Sequence, residues 1–432
     1  MHRRRFLETL AAPAALCAGL PFALPPRRAL SAPADGSRRT GVIGVTTVYR
    51  RHSHADVIFT KILRGWKHDG GPGPDLKLTA LYVEQFPEGD LARRLCREHG
   101  VPLCSSIAEA MRVGLADPST AGVLSVGEHG DYPYTPDTRQ HMYPRRRFFD
   151  EIVRGFDRAD RVLPLFNDKH LSYRWADAQH MYRTAKRKRI PFMAGSSLPV
   201  AWRIPPLQLP AGCELEEALA VGYGGAESYG FHALEVLQCM VERRRGGETG
   251  VASVQAVTGE AIWRAADAGR FSPDLLAAAL RAQGVEHAEG EELRRRLAGD
   301  TPFYLIEYRD GLRATVAMCN GVARQFSFAA RLRGEKDPRA CLFALQDEEP
   351  YMHFGWLLHA IHYMLVTGRP AYPVERTLLT TGVLDRAMHS LAGDGRRLET
   401  PELNVHYRPT DWPFAKLPVG TPPPRTVART NR

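Results

Sequence analysis

The sequence has few cysteines, no C-x-x-C pair, no internal repeat and, beyond its first residues, no run of 18 clean apolar residues. Each absence excludes something. Of seven cysteines, Cys17 falls in a leader and the other six are scattered without zinc-ligand spacing. A chain of 432 residues needs no disulfide staples, so these six read as buried free thiols. Without a long apolar run nothing spans a membrane. Without heptads or a glycine period, coiled coils and collagen are excluded. Excess charge is small as well. Five arginines and one glutamate in residues 1–34 supply +4 of the net +10, leaving +6 for the remainder. That does not argue for nucleic acid.

What is present is ordinary globular composition, 44% hydrophobic and 25% charged, enough for two domains. The chain opens Arg3-Arg4-Arg5-Phe6-Leu7, continues with an apolar stretch from Leu10 to Leu24, and offers a small-residue cut at Ala32-Pro33-Ala34. A basic end, a short apolar middle and such a cut predict a signal peptide over residues 1–34. Arg-Arg-x-Phe-Leu resembles a twin-arginine leader, which implies export of an already folded protein to the periplasm or beyond.

Strands are predicted at 42–48, 76–83, 122–126, 162–166 and 191–194, with helices between them at 54–66, 91–99, from 107, 148–158 and 172–189. Ser106 and Glu109 form a capping box, and Ser172 is expected to cap its helix. This alternation predicts an α/β fold, with a Rossmann-type parallel-sheet domain over 40–200. Ligands of such sheets lie beyond the carboxyl ends of the strands. After Pro199 the texture changes. A Pro205-Pro206 linker, dispersed strands, an Asp310-Gly311 hairpin turn and helices at 353–367 and 375–392 predict a second α/β domain over 201–409. Its open sheet is largely antiparallel and is the expected surface for homo-oligomerisation. Residues 410–432, rich in proline and basic residues, are expected to be loose. Of the basic runs, Arg145–Arg147 follows a ligand-type loop and is a candidate to meet an anion; the others read as solvated helix ends.

The strongest constellation is Phe166-Asn167-Asp168-Lys169-His170-Leu171-Ser172, ending a strand and preceding a helix. A lysine there can point into the cleft and bind a hydroxyl or carbonyl oxygen. Gly127-Glu128-His129-Gly130-Asp131 follows another strand and sets a histidine between two acids. His52-x-His54-x-Asp56 resembles a metallo-β-lactamase-type metal motif and supports a metal-dependent hydrolase as an alternative.

Asn167 to Ser172, then Ile190-Pro191-Phe192-Met193-Ala194-Gly195, then Gly230-Phe231-His232-Ala233-Leu234-Glu235, resemble in order and spacing the Gfo/Idh/MocA oxidoreductase family. The resemblance spans about residues 40–400. It implies NAD(P)-linked hydride transfer on a sugar- or polyol-type substrate, with Lys169 and His232 catalytic. It places Gly44, Thr46, Thr47, Glu84, Gly127, His129 and Asp168 around NAD or NADP. Lys169 falls on the signature lysine, with Asp168 for glutamate and His170 for proline. Two departures stand out. The family's Gly-x-Gly-x-x-Gly turn reads Gly44-Val45-Thr46-Thr47-Val48-Tyr49 here, although glycine lets the backbone approach the pyrophosphate. Ser228 takes the place of the acid four residues before His232, with Glu227 beside it. These departures support a further alternative, a catalytically inactive sugar- or polyol-binding protein on the same scaffold.

Overall fold

Apolar strands separated by amphipathic helices bury both of their faces only in a parallel sheet covered on both sides. The computed structural model describes residues 39–425 except 298 and 300, and it opens with such a sheet. The leader read over residues 1–34 lies outside the described residues. Strands β1 (Thr40–Thr46), β2 (Leu76–Val83), β3 (Leu103–Cys104), β4 (Thr120–Val126), β5 (Leu165–Asp168) and β6 (Phe192–Gly195) run in the order β3-β2-β1-β4-β5-β6. Every pairing is parallel. The order reverses between β1 and β4, the switch point at which sheets of this kind bind ligands.

The second sheet holds β7 (Trp202–Ile204), β8 (Leu215–Gly222), β9 (Val251–Val257), β10 (Phe303–Tyr308), β11 (Arg313–Met318), β12 (Phe326–Leu332), β13 (Arg339–Ala344) and β14 (Leu398–Glu399). Its order is β14-β9-β10-β11-β8-β12-β13-β7. Only β8 and β11 pair in parallel; the other neighbours are antiparallel. The Asp310-Gly311 turn joins β10 to β11 as its sequence implies. Gly311 sits at φ +88°, a conformation that glycine adopts without strain, and Asp310 Oδ1 accepts the Leu312 amide at 3.3 Å.

Helices Gly230–Val241 and Val374–Ala392 pack against strands of the second sheet, and the latter also reaches β6. Nearly every residue of the first is buried, because apolar side chains surround it on all sides. One continuous apolar cluster, including Phe149, Phe192, Phe231, Leu237 and Val383, runs from the parallel sheet through these helices to the second sheet. The site is thereby set on a rigid frame.

Local signals resolve in detail. Ser106 Oγ accepts the Glu109 amide at 3.1 Å, as a capping box requires. The return bond from Glu109 goes to the Ser105 amide, at 2.7 Å. Ser172 does not cap: its helix begins at Trp175, with Arg174 in the cap position and no side-chain cap bond. The expected helix at 54–66 starts as a π turn, Asp56–Thr60, continues over Lys61–Arg64 and ends at Gly65 with φ +84°. Of the basic tail, residues 410–425 lie against the body, with Phe414 and Ala415 buried and Arg425 paired to Asp75 at 2.6 Å.

Candidate functional site

A cleft of about 770 Å³ opens beyond the carboxyl ends of β4 and β5, closed on the far side by the segment before helix Gly230–Val241. Its floor is electrostatic. Glu128, which follows β4, is 5% exposed and meets two cations. Lys169 Nζ lies 3.0 Å from its Oε1, and the Arg145 guanidinium pairs with its Oε2. Burial alone would raise the Glu128 carboxyl; Lys169 and Arg145 overcome this and hold it well below the usual carboxylate range. Lys169 Nζ also donates to the Ser228 carbonyl at 3.1 Å, tying the parallel sheet to the cleft's opposite wall.

Two bulky residues here adopt left-handed backbone, His129 at φ 67° and Lys169 at φ 64°. Such conformations cost on the order of 1–3 kcal/mol and persist where surroundings fix them. For Lys169 the fixing bond is explicit: its amide donates to the Gly195 carbonyl at 3.1 Å. The twist turns the side chain off the strand and onto Glu128.

Above the floor stand further buried titratable groups. Glu227 accepts the His141 amide at 2.7 Å through Oε2, while its buried Oε1 has no hydrogen-bond partner among the described residues. Burial pushes its carboxyl up to about 7. His170 Nε2 is 3.0 Å from Arg145 Nη1 and 3.7 Å from Glu227 Oε1. Burial, then Arg145, holds His170 well below the usual imidazole range. His232 is anchored through Nδ1 by Ser196 Oγ at 2.7 Å. Burial, then Lys169, keeps this imidazole neutral near pH 7. Burial, then His54, brings His129 down to about 4.

Lys169, His232 and His129 therefore line one cleft. Asp168 lies beneath it, 1% exposed, with Oδ2 at 2.6 Å from His54 Nδ1. Gly127 gives Arg145 its room: a Cβ there would come within 2.8 Å of Arg145 Cγ. The remaining candidates are engaged elsewhere. Gly44 packs inside the sheet, where a Cβ would meet Leu81 Cδ1 at 2.6 Å. Thr46 Oγ1 donates to the Val126 and Val48 carbonyls at 2.9 and 3.1 Å. Thr47 Oγ1 donates to the Glu128 carbonyl at 2.7 Å. Both threonines are wholly buried. Glu84 accepts the Tyr132 hydroxyl at 2.7 Å and pairs with Arg147.

The segment after β1 likewise serves its own chain. A pyrophosphate in a sheet of this order takes the amides at the following helix's start. Here the buried Asp56 carboxylate accepts the His52 amide at 2.9 Å and the Thr60 hydroxyl at 2.6 Å. Ser53 Oγ accepts the Arg50 and Asp56 amides, each at 3.3 Å. Tyr49, wholly buried, fills the space behind and bonds Thr60 at 2.8 Å. An anionic side chain already occupies the helix start, and the nearby hydroxyls are spent. These residues do not fit a dinucleotide in this conformation. His52, His54 and Asp56 do not converge either, since His54 turns to Asp168 and Asp56 to His52 and Thr60. Among the described residues no group of three or more His, Cys, Asp or Glu side chains is placed to hold a metal ion.

Sequence reasoning did not assign Glu128, His170, Glu227 or Ser196 a role, and it read Arg145 only as one of three arginines that are candidates to meet an anion. Strand-end position marks Glu128 and His170. Nothing local separates Arg145, which is 0% exposed, from Arg146 and Arg147, which reach outward to Asp177 and Glu84.

No protein-family model and no curated protein matches the sequence. Solved structures do match in fold. GenD2 from gentamicin A biosynthesis, in complex with NAD, is 13% identical over 84% of this chain and 96% of its own, with a TM-score of 0.52. An oxidoreductase from Agrobacterium radiobacter, in complex with NAD+, L-tartaric acid and magnesium, is 12% identical over 84% and 98%, with a TM-score of 0.51. Apo scyllo-inositol dehydrogenase from Lactobacillus casei is 11% identical over 84% and 98%, with a TM-score of 0.50. The architecture is thus shared with dehydrogenases: a parallel-sheet domain followed by a mixed, mostly antiparallel one.

Proposed function

We propose that this chain binds a sugar- or polyol-type small molecule in the cleft and works without a dinucleotide seated after β1. The carrying observation is the division of the sheet's carboxyl edge. Its β1–β2 half is closed by Asp56, Thr46, Thr47 and Glu84, while its β4–β5 half opens into the cleft. In this reading Lys169 donates to a ligand hydroxyl or carbonyl oxygen. His232, neutral and fixed by Ser196, exchanges a proton with a neighbouring hydroxyl. Tyr134, Tyr143 and Tyr229 in the cleft wall give apolar ring faces for the ligand's carbon skeleton.

A second reading, NAD(P)-linked hydride transfer on such a molecule, is favoured by the NAD complexes among the similar structures and by the Gfo/Idh/MocA-like order of motifs. It requires the 46–56 segment to rearrange and release Asp56 from the helix start.

The test is calorimetric titration of a panel of polyols, aldoses and keto-sugars without added cofactor. At least one member binds the wild type. Lys169→Ala weakens it about tenfold or more, the size of a lost charge-assisted hydrogen bond. A panel without a binder, or an unchanged affinity in Lys169→Ala, contradicts the assignment.

A further inference from the structure

Two tyrosines of the cleft stay open to solvent, and they stand on different elements. Tyr134 is 49% and Tyr229 40% exposed, and both line the cleft. Exposed aromatic side chains are ordinary when scattered; two that share one concave site mark a surface that a ligand covers.

Tyr229 belongs with the floor groups. Its ring lies on the backbone of Gly224, where a Cβ would come within 2.7 Å of Tyr229 Cγ. It meets the His232 ring edge-on, with centroids 6.1 Å apart at 82°. Asn320 clamps this turn: its Oδ1 accepts the Gly224 amide at 2.6 Å and its Nδ2 donates to the Gly224 carbonyl at 3.2 Å.

Tyr134 stands on the turn after β4 with polar groups of its own. Its ring stacks on His141, centroids 4.4 Å apart at 18°, and the Arg139 guanidinium lies over it at 5.1 Å. The turn is held fast. The Thr135 amide donates to the Gln140 carbonyl at 2.8 Å, the Gln140 amide to Thr135 Oγ1 at 2.9 Å, and Gln140 Nε2 to the Tyr173 carbonyl at 2.7 Å. These bonds hold Arg139 in left-handed backbone, φ 56°, which persists where surroundings impose it. Asp137 and Arg139 are exposed and line the cleft. Among the described residues neither side chain makes an ion pair or a hydrogen bond, whereas Arg145, Arg146 and Arg147 at the end of the same loop each meet a carboxylate.

A free guanidinium and a free carboxylate beside one aromatic ring select the chemistry of the ligand. An anion is repelled by Asp137 and a cation by Arg139. A hydroxyl donates to the first and accepts from the second, and the apolar face of a sugar ring suits the tyrosine. We propose that the cleft holds a glycoside of at least two sugar units, one over His232, Lys169 and Tyr229 and the next against Tyr134, Asp137 and Arg139. The inference rests on the sugar-type reading of the cleft and names its ligand class. A volume of about 770 Å³ lies in the range of sites that enclose ligands of drug size, and a single unit seated on the floor groups gives Asp137 and Arg139 no partner.

Calorimetric titration of matched sets, glucose with maltose and cellobiose, galactose with lactose and melibiose, tests this without added cofactor. At least one disaccharide should bind about tenfold or more tighter than either of its units, the worth of an added hydrogen bond to a charged group. Arg139→Gln and Tyr134→Ala, both at exposed positions outside the core, should narrow that ratio to about threefold or less. Lys169→Ala should weaken disaccharide and monosaccharide by the same factor and leave the ratio as it was. Disaccharides that bind no tighter than their units, with Lys169→Ala still weakening both, overturn this inference and leave the sugar-type reading standing. A ratio that survives Arg139→Gln and Tyr134→Ala overturns it too. Binding by no saccharide removes the sugar-type reading, and this inference with it.

Discussion

Replacing Glu128 by Gln is expected to destabilise the protein by about 3–5 kcal/mol, the cost of leaving a buried charge without its partner. Lys169 and Arg145 both lean on this carboxylate, and among the described residues neither has another acid within ion-pair distance. Urea unfolding at pH 7 measures the loss as a lower midpoint at unchanged slope. Acid should do the same to the wild type. The folded-state pKa of Glu128 is depressed, so its contribution is present above its unfolded value of about 4.3 and is lost as pH falls toward the folded value. Surface pairs give the contrast: Arg245→Ala, which breaks an exposed pair with Glu214, should cost under about 1 kcal/mol. A loss of that small size in Glu128→Gln would show that the cleft floor does not rest on this carboxylate.

Glu227→Gln should act in the opposite direction and depend on pH. The carboxyl of Glu227 is raised to about 7 by burial, against about 4.3 unfolded. Between these values the folded chain holds a proton that the unfolded chain releases. Stability therefore falls as pH rises through this window and is flat above it. Glutamine keeps the acceptor for the His141 amide and removes the titration. The variant should gain about 3 kcal/mol on the wild type between pH 4.5 and 7.5. Glu235, also raised to about 7, titrates in both proteins and cancels in the difference. A pH-independent difference would place the Glu227 carboxylate in contact with water or with a cation.

The parallel sheet and the hairpin at Asp310-Gly311 were legible because each is written in local periodicity or turn chemistry. Lys169 was legible because it directly follows a strand. What stayed hidden depends on partners far along the chain. Arg145 reads like its two neighbours until the fold brings Glu128 and His170 to it. Thr46 and Thr47 look like free phosphate donors, and only tertiary structure shows their hydroxyls committed to the Val126 and Glu128 carbonyls. Asp56 looked like a metal ligand; the fold instead commits its carboxylate to the His52 amide and the Thr60 hydroxyl. The strand β13 carries only weak alternation over Arg339-Ala340-Cys341, and it is held as a strand by pairing with β12.

The closed half of the sheet's edge is the central claim, and dinucleotide binding tests it most directly. The purified protein, prepared without added cofactor, should be titrated with NAD, NADH, NADP and NADPH, following tryptophan fluorescence and heat, after native mass spectrometry of the protein as purified. The expected result is no co-purified dinucleotide and no saturable binding up to about 1 mM, weaker than about 4 kcal/mol of binding free energy. A stoichiometric dinucleotide carried through purification, or micromolar binding, would contradict the account and return the cleft to hydride transfer.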